Sequence, residues 1–335
     1  MLKKTLIAAL AVSIAAPALA AGEVNVYSYR QPELIKPLTD AFTEKTGIAV
    51  NSVFLKKGMV ERLKAEGDRS PADLIFTVDI SRLAGVVNAG VTQAVESDVL
   101  NTNIPAEMRD KGNHWFGLTA RARIVYASKD RVAEGEVTTY EDLADPKWKG
   151  RICIRSGMNA YNLALTSAVI GHHGPETAKS WLEGVKANLA RKPQGNDRAQ
   201  VKAIWAGECD ISVGNTYYMA LMLKKDEQKG WADSVRIEFP TFSNGGTHMN
   251  ISGMAMTKAA PNKENALKLM EFLASAEGQK IYSEINAEYP VLSSVKASDL
   301  VESWGAFTRD EMALTAIAAN RPKAVELVEE VAFDE

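Results

Sequence analysis

Hydrophobic and polar positions fall into two alternating patterns along the chain: short apolar runs that suit strands, and runs of period near 3.6 that suit helices. Residues 23–29 (EVNVYSY) read as a first strand. From Pro32, apolar residues at Leu34, Ile35, Leu38 and Phe42 share one helical face, and Gly47 stops the helix. Residues 48–55 are a second strand and 59–66 a second helix. Residues 72–77 (ADLIFT) are almost wholly apolar, which suits a strand buried in a parallel sheet. Residues 81–89 are helical and end at Gly90. This alternation predicts α/β layers with right-handed crossovers.

The pattern then restarts. Residues 118–128 (LTARARIVYAS) form a long strand, and 140–143 with Pro146 and Trp148 mark a helix and turn. RICIRS (151–156) is a strand, followed by helices over about 159–170 and 176–189. Residues 200–206 are helical, CDISVG (209–214) is a strand, and 217–225 are helical. A strand over 235–240 and periodic helices over 262–274 and 276–284 complete the pattern. No internal repeat or low-complexity linker interrupts it. The expectation is a two-lobe α/β solute-binding architecture, with the chain crossing between lobes near 120–126 and 239–242. Ligand would sit in a central cleft where the carboxyl ends of the strands converge.

The first twenty residues stand apart. MLKKTLIAALAVSIAAPALA has Lys3 and Lys4, an uncharged run, and the ending Ala18-Leu19-Ala20, which together read as a secretory signal peptide. No Cys follows Ala20 to take a lipid, and no later stretch reads as a membrane span. A soluble, exported protein in the periplasm is expected. With 39 basic and 42 acidic residues the net charge is −3, and −5 once the two leader lysines are removed. That balance, without a basic block, argues against nucleic acid as a partner. An apolar fraction of 46% and a charged fraction of 24% exclude disordered and fibrous classes.

Motifs for catalysis are missing. There is no G-x-S-x-G elbow, H-E-x-x-H pair or P-loop. His172-His173 read as cations at a helix end, and His114 and His248 as surface residues of polar loops. Cys153 and Cys209 lie in two short strand-like runs, so a disulfide in an oxidising compartment is the expectation, and two buried thiols the alternative.

The tyrosines carry more. Tyr161 follows the RICIRS strand in the first turn of a helix; Tyr217 and Tyr218 follow CDISVG, again at a helix start, with Asn215 or Thr216 as N-cap. The two loops should open at one edge of one sheet, so that the three phenols converge. Three phenolates neutralise a trivalent cation, and hard oxygen donors suit ferric ion. Protons compete for phenolates, so acid should release such a metal. Aromatic stacking on an organic solute accounts for the same tyrosines, and packing for a Tyr-Tyr pair alone.

The segments VYSYRQPEL, PADLIFTVDISRL, GLTARARIVYASKDRV, SGMNAYNLAL, ANLARKPQGNDRAQVKAI and GNTYYMALML closely resemble the periplasmic ferric-ion-binding proteins of ABC iron transporters, over essentially the whole chain after the leader. The resemblance implies a type II periplasmic-binding-protein fold and Fe3+ held mainly by tyrosinates. Carried over, Tyr161, Tyr217 and Tyr218 are the metal ligands. Tyr29 is a candidate fourth, although Gln31-Pro32 stands where some members have a His-Tyr pair. Members lacking that ligand use a carbonate-like synergistic anion; here Arg121 is the first candidate to hold it, then Arg30, with Gln31 as a hydrogen-bond donor. Arg123, two residues on from Arg121, shares its face of the strand. The expected lobes are 21–120 plus about 240–285, and 121–239 plus about 286–335. The implied function is non-enzymatic: a monomer that captures Fe3+ and delivers it to an inner-membrane ABC permease. The same fold carrying a polyamine, organic acid or oxyanion is the alternative, and a secreted hydrolase using a carboxylate such as Asp79 is the rival from another class.

Overall fold

The computed structural model describes residues 22–335, and the leader expected over residues 1–20 lies outside the described residues. The chain opens with β1 (Glu23–Ser28), α1 (Pro32–Thr46), β2 (Ala49–Phe54), α2 (Met59–Glu66), β3 (Leu74–Thr77) and α3 (Ile80–Asn88), each close to its expected place. Local chemistry explains α1. Pro32 sits in its first turn, Ile35, Leu38 and Phe42 are buried, and Gly47 (φ 72°) closes it with its N–H on the Thr43 carbonyl.

Short β4 (Thr92–Gln93) and α4 (Asp98–Asn103) lead to the long β5 (Phe116–Ser128). Next come β6 (Ile152–Cys153), α5 (Ala160–Ala187), α6 (Asp197–Trp205), β7 (Ile211–Asn215), α7 (Tyr217–Leu223), α8 (Asp226–Asp233) and β8 (Val235–Glu238). The chain returns through β9 (Met249–Thr257), α9 (Lys263–Ala274), α10 (Ala276–Asn286) and β10 (Tyr289–Pro290), and ends in short helices up to Arg321–Glu330. The two helices expected over 159–170 and 176–189 are the arms of α5, which bends at Gly174 (φ 80°, ψ 166°) before Pro175. Among the described residues no helix is long and apolar enough to cross a membrane.

The sheet runs β2-β1-β3-β9-β5-β7-β6, with β4 on β9 and both β8 and β10 on β5. β5 serves both halves. Its first part, through Ala122, pairs with β9, and from Arg123 onward it pairs with β7 and β8. Every residue of β5 is buried, including Thr119, Arg121 and Arg123. Sequence patterning missed β9 altogether. MNISGMAMT neither alternates nor carries a β-branched run, because the strand is buried in mid-sheet and packed closely. At Gly253 a Cβ would meet a Leu83 methyl at 2.5 Å and the Phe116 carbonyl at 2.8 Å, so the strand needs glycine there.

His248 precedes β9 and is not a surface residue: it is 1% exposed, at the return crossing into the first half of the sheet. Its N–H donates to the Tyr140 hydroxyl (3.0 Å) and its carbonyl accepts from Arg123 N–H (2.9 Å). Both ring nitrogens are buried without a hydrogen-bond partner among the described residues. Burial, then Arg123, Arg121 and His172, pulls its pKa from 6.5 down to about 3. The unfolded chain takes up this proton near pH 6.5 and the folded chain only near pH 3. The contribution to stability is therefore complete above pH 6.5 and declines as the pH falls through that window. His248→Gln should flatten the loss of unfolding free energy between pH 6.5 and 4 by up to about 1.4 kcal/mol per pH unit. Denaturant titrations across that range check it, and an unchanged slope would mean that the native imidazole protonates normally.

Candidate metal centre

β6 and β7 pair in parallel, with Ile152 opposite Ile211 and Cys153 opposite Ser212, so their carboxyl ends leave the sheet at one edge. A disulfide joins Cys153 to Cys209, with Cα atoms 5.8 Å apart, at the base of this pair. Beyond β6 the loop ends at Asn159, whose side chain accepts the Tyr161 N–H and starts α5, which fixes Tyr161 in the first turn. Beyond β7 only Thr216 intervenes before Tyr217 and Tyr218 open α7. Neither Asn215 nor Thr216 caps that helix through its side chain. The Asn215 carboxamide is committed elsewhere: it accepts from Arg123 Nη1 at 3.0 Å and donates to the Tyr217 hydroxyl at 3.5 Å.

The phenols meet. The Tyr217 hydroxyl donates to the Tyr161 oxygen at 3.3 Å, and the Tyr217 and Tyr218 ring centroids lie 4.3 Å apart. Burial pushes the Tyr217 phenol well above its usual range, and the neighbouring Tyr161 and Tyr218 oxygens push it further. Burial, then the Asp197 carboxylate, raises Tyr218 as well. Both are thus neutral at physiological pH, and only a strongly charged cation, which stabilises phenolate far more than these neighbours oppose it, displaces their protons. Among the described residues no three His, Cys, Asp or Glu side chains come together in a way that holds a metal.

All three tyrosines line a cleft of about 690 Å3, and so do Tyr29, Arg30, Gln31 and Arg121. Arg121 is 1% exposed; its Nη1 donates to Ser252 Oγ (3.0 Å) and its Nη2 to the Val78 carbonyl, while its Nε has no partner. Its guanidinium carbon stands 5.7 Å from the Tyr161 ring centre. Among the described residues it pairs with no carboxylate, so its buried charge is offset only by a hydroxyl and a carbonyl dipole. Arg30 differs, because its Nη2 is held by both Glu288 oxygens (2.8 and 2.7 Å) and by Ser252. The Tyr29 hydroxyl accepts the Met59 N–H at 3.2 Å, and Arg82 lies 4.2 Å over its ring. Gln31 is exposed and makes no side-chain cap on α1.

The remaining candidates are structural. Asp79 is fully buried, caps α3 through Ser81 and Arg82 N–H groups, and accepts from Asn250 at 2.8 Å. His172 faces Asp310 (3.0 Å), His173 faces Glu141 (2.5 Å) and His114 bonds Thr92 (2.9 Å). Sequence reading missed Asp197, Arg155 and Glu288. Asp197 is wholly buried between Arg123 (2.6 Å) and Arg155 (2.5 Å), and Arg155 lies 5.5 Å from the Tyr161 ring centre. An acidic residue in a helix's first turn reads as ordinary end chemistry, so nothing local marked it.

The profile of the bacterial extracellular solute-binding protein family matches residues 69–308. Iron uptake protein A1 of Synechocystis sp. is 41% identical over 314 residues, covering 93% of this chain and 87% of that protein. The apo ferric ion-binding protein A of Pasteurella haemolytica superposes with a TM-score of 0.90 at 52% identity, over 94% of this chain and 99% of that one. The Trichodesmium protein solved with iron and citrate ligands gives 0.88 at 42%, over 93% and 100%.

Proposed function

The chain belongs to the bacterial extracellular solute-binding protein family, among its ferric-ion-binding members, and has the two-lobe, type II periplasmic-binding fold; on that premise we propose that it captures Fe3+ through Tyr161, Tyr217 and Tyr218. The observation that carries this reading is the approach of the Tyr217 and Tyr161 oxygens to 3.3 Å in a cleft where, among the described residues, no His, Cys, Asp and Glu side chains cluster to hold a metal. Three phenolates cancel the charge of one ferric ion, so metal and tyrosinates together are neutral and an added anion has its charge met by an arginine. Tyr29, facing the same cleft, is the candidate fourth donor. The remaining coordination goes to a carbonate-like anion. Arg121 binds it; Arg30, already neutralised by Glu288, and Gln31 assist. The lobes, 21–120 with about 240–285 and 121–239 with about 286–335, close on the metal. The protein acts as a monomer in the periplasm, outside any catalytic cycle, and hands iron to an ABC permease of the inner membrane.

Replacing both adjacent tyrosines (Tyr217→Phe with Tyr218→Phe) should abolish the visible tyrosinate-to-iron charge-transfer band and stoichiometric iron binding. Colour and affinity unchanged in that variant would sink the ligand assignment. Arg121→Gln should cost about 1.5–3 kcal/mol of anion binding, a charged hydrogen bond's worth. Iron retention in bicarbonate should fall about 10- to 100-fold, with little change in buffer free of bicarbonate. Equal retention of the wild-type and variant proteins in bicarbonate contradicts the anion role.

A further inference from the structure

Arg123 lies behind the cleft, not in it. It is 2% exposed and sits where β5 passes from one half of the sheet to the other. Its guanidinium divides three ways. Nη1 donates to Asp197 (2.6 Å) and to Asn215 Oδ1 (3.0 Å), and Nη2 donates to Asn162 Oδ1 (2.5 Å). Asn162 directly follows Tyr161, and Asn215 stands two residues before Tyr217. Each amide is itself fixed at its other end. Asn162 Nδ2 donates to the carbonyls of Arg155 and Ser156, which hold the loop entering α5, and Asn215 Nδ2 reaches the Tyr217 hydroxyl. One planar group therefore ties both tyrosine loops to the same rigid strand.

We propose that Arg123 is a positioning residue for metal binding: from behind the cleft wall, its fork to Asn162 and Asn215 sets the separation of the Tyr161 and Tyr217 oxygens. This rests on the reading of those tyrosines as ligands. Lysine cannot replace it, because a single ammonium lacks the fixed angle between two Nη groups that spans two loops. The buried Asp197 carboxylate, shared with Arg155, pairs with the guanidinium, so the fork is held by an ion pair and its donors do not move into the cleft as an anion site. Its neighbour Arg121, on the same strand face, has no such carboxylate among the described residues and remains for the anion. The strand thus divides two tasks between two arginines.

The test compares the wild-type chain with Arg123→Lys and Asn162→Ala, each loaded with ferric citrate in bicarbonate. Three readouts are the maximum of the charge-transfer band, the rate of iron loss to excess citrate, and the melting temperature of the iron-free protein. Both variants should still bind one equivalent of iron with colour, because all three phenols remain. Their band maximum should shift, and iron loss should accelerate about 10- to 100-fold, the usual cost of removing a partner that orients a metal ligand. Asn162→Ala leaves the Arg123–Asp197 pair intact, so it decides the matter even if Arg123→Lys fails to fold. Wild-type band position and loss rate in Asn162→Ala, or in a folded Arg123→Lys, would make Arg123 a purely structural ion-pair partner, whatever the melting temperatures. A colourless wild-type protein would instead overturn the ligand reading on which the proposal rests.

Discussion

A two-residue parallel ladder, Ile152–Cys153 against Ile211–Ser212, determines where the rest of the site must go. Parallel strands end on the same side of a sheet, so the loops that follow them face the same solvent. Each loop then starts a helix within a few residues, and a helix's first turn points its side chains back toward the strand ends. The three phenols converge because of that geometry. The disulfide at the ladder's base and the ion pair of Arg123 with Asp197 behind it hold the arrangement from two further directions.

The electrostatics follow from burial. The cleft sets its phenols among guanidinium groups: Arg121, Arg123 and Arg155 all lie within 6 Å of the Tyr161 ring. Such surroundings repel a free cation but favour an anionic ligand set, phenolate or carbonate, once a metal is present to share the charge. Arg123 and Arg155 share the single Asp197 carboxylate, which leaves one net positive charge on the three, and Arg30 pairs with Glu288. The field at the tyrosines stays positive, and Arg121 adds a guanidinium that meets no carboxylate among the described residues.

What was legible in the sequence was local. The helix opened by Pro32 and closed by Gly47, the break at Gly174-Pro175, and the strand-loop-helix setting of the tyrosines all depend on residues within a few positions of each other. What stayed hidden depends on distant partners. β9 is central to the sheet, yet its Asn, Ser, Gly and Met residues fit neighbours that only the fold supplies. His248 follows Gly245-Gly246-Thr247 and looked solvated for that reason, but the return crossing buries it. Asp197 and Glu288 meet their arginines across 74 and 258 residues of sequence, so no spacing rule reaches them.

The most direct test of the account is a titration of the iron-free protein with ferric citrate in bicarbonate, following the visible spectrum and the bound metal together. A tyrosinate-to-iron band should grow linearly and stop at one iron per chain. Iron bound without such a band, or no saturable binding at all, would contradict it.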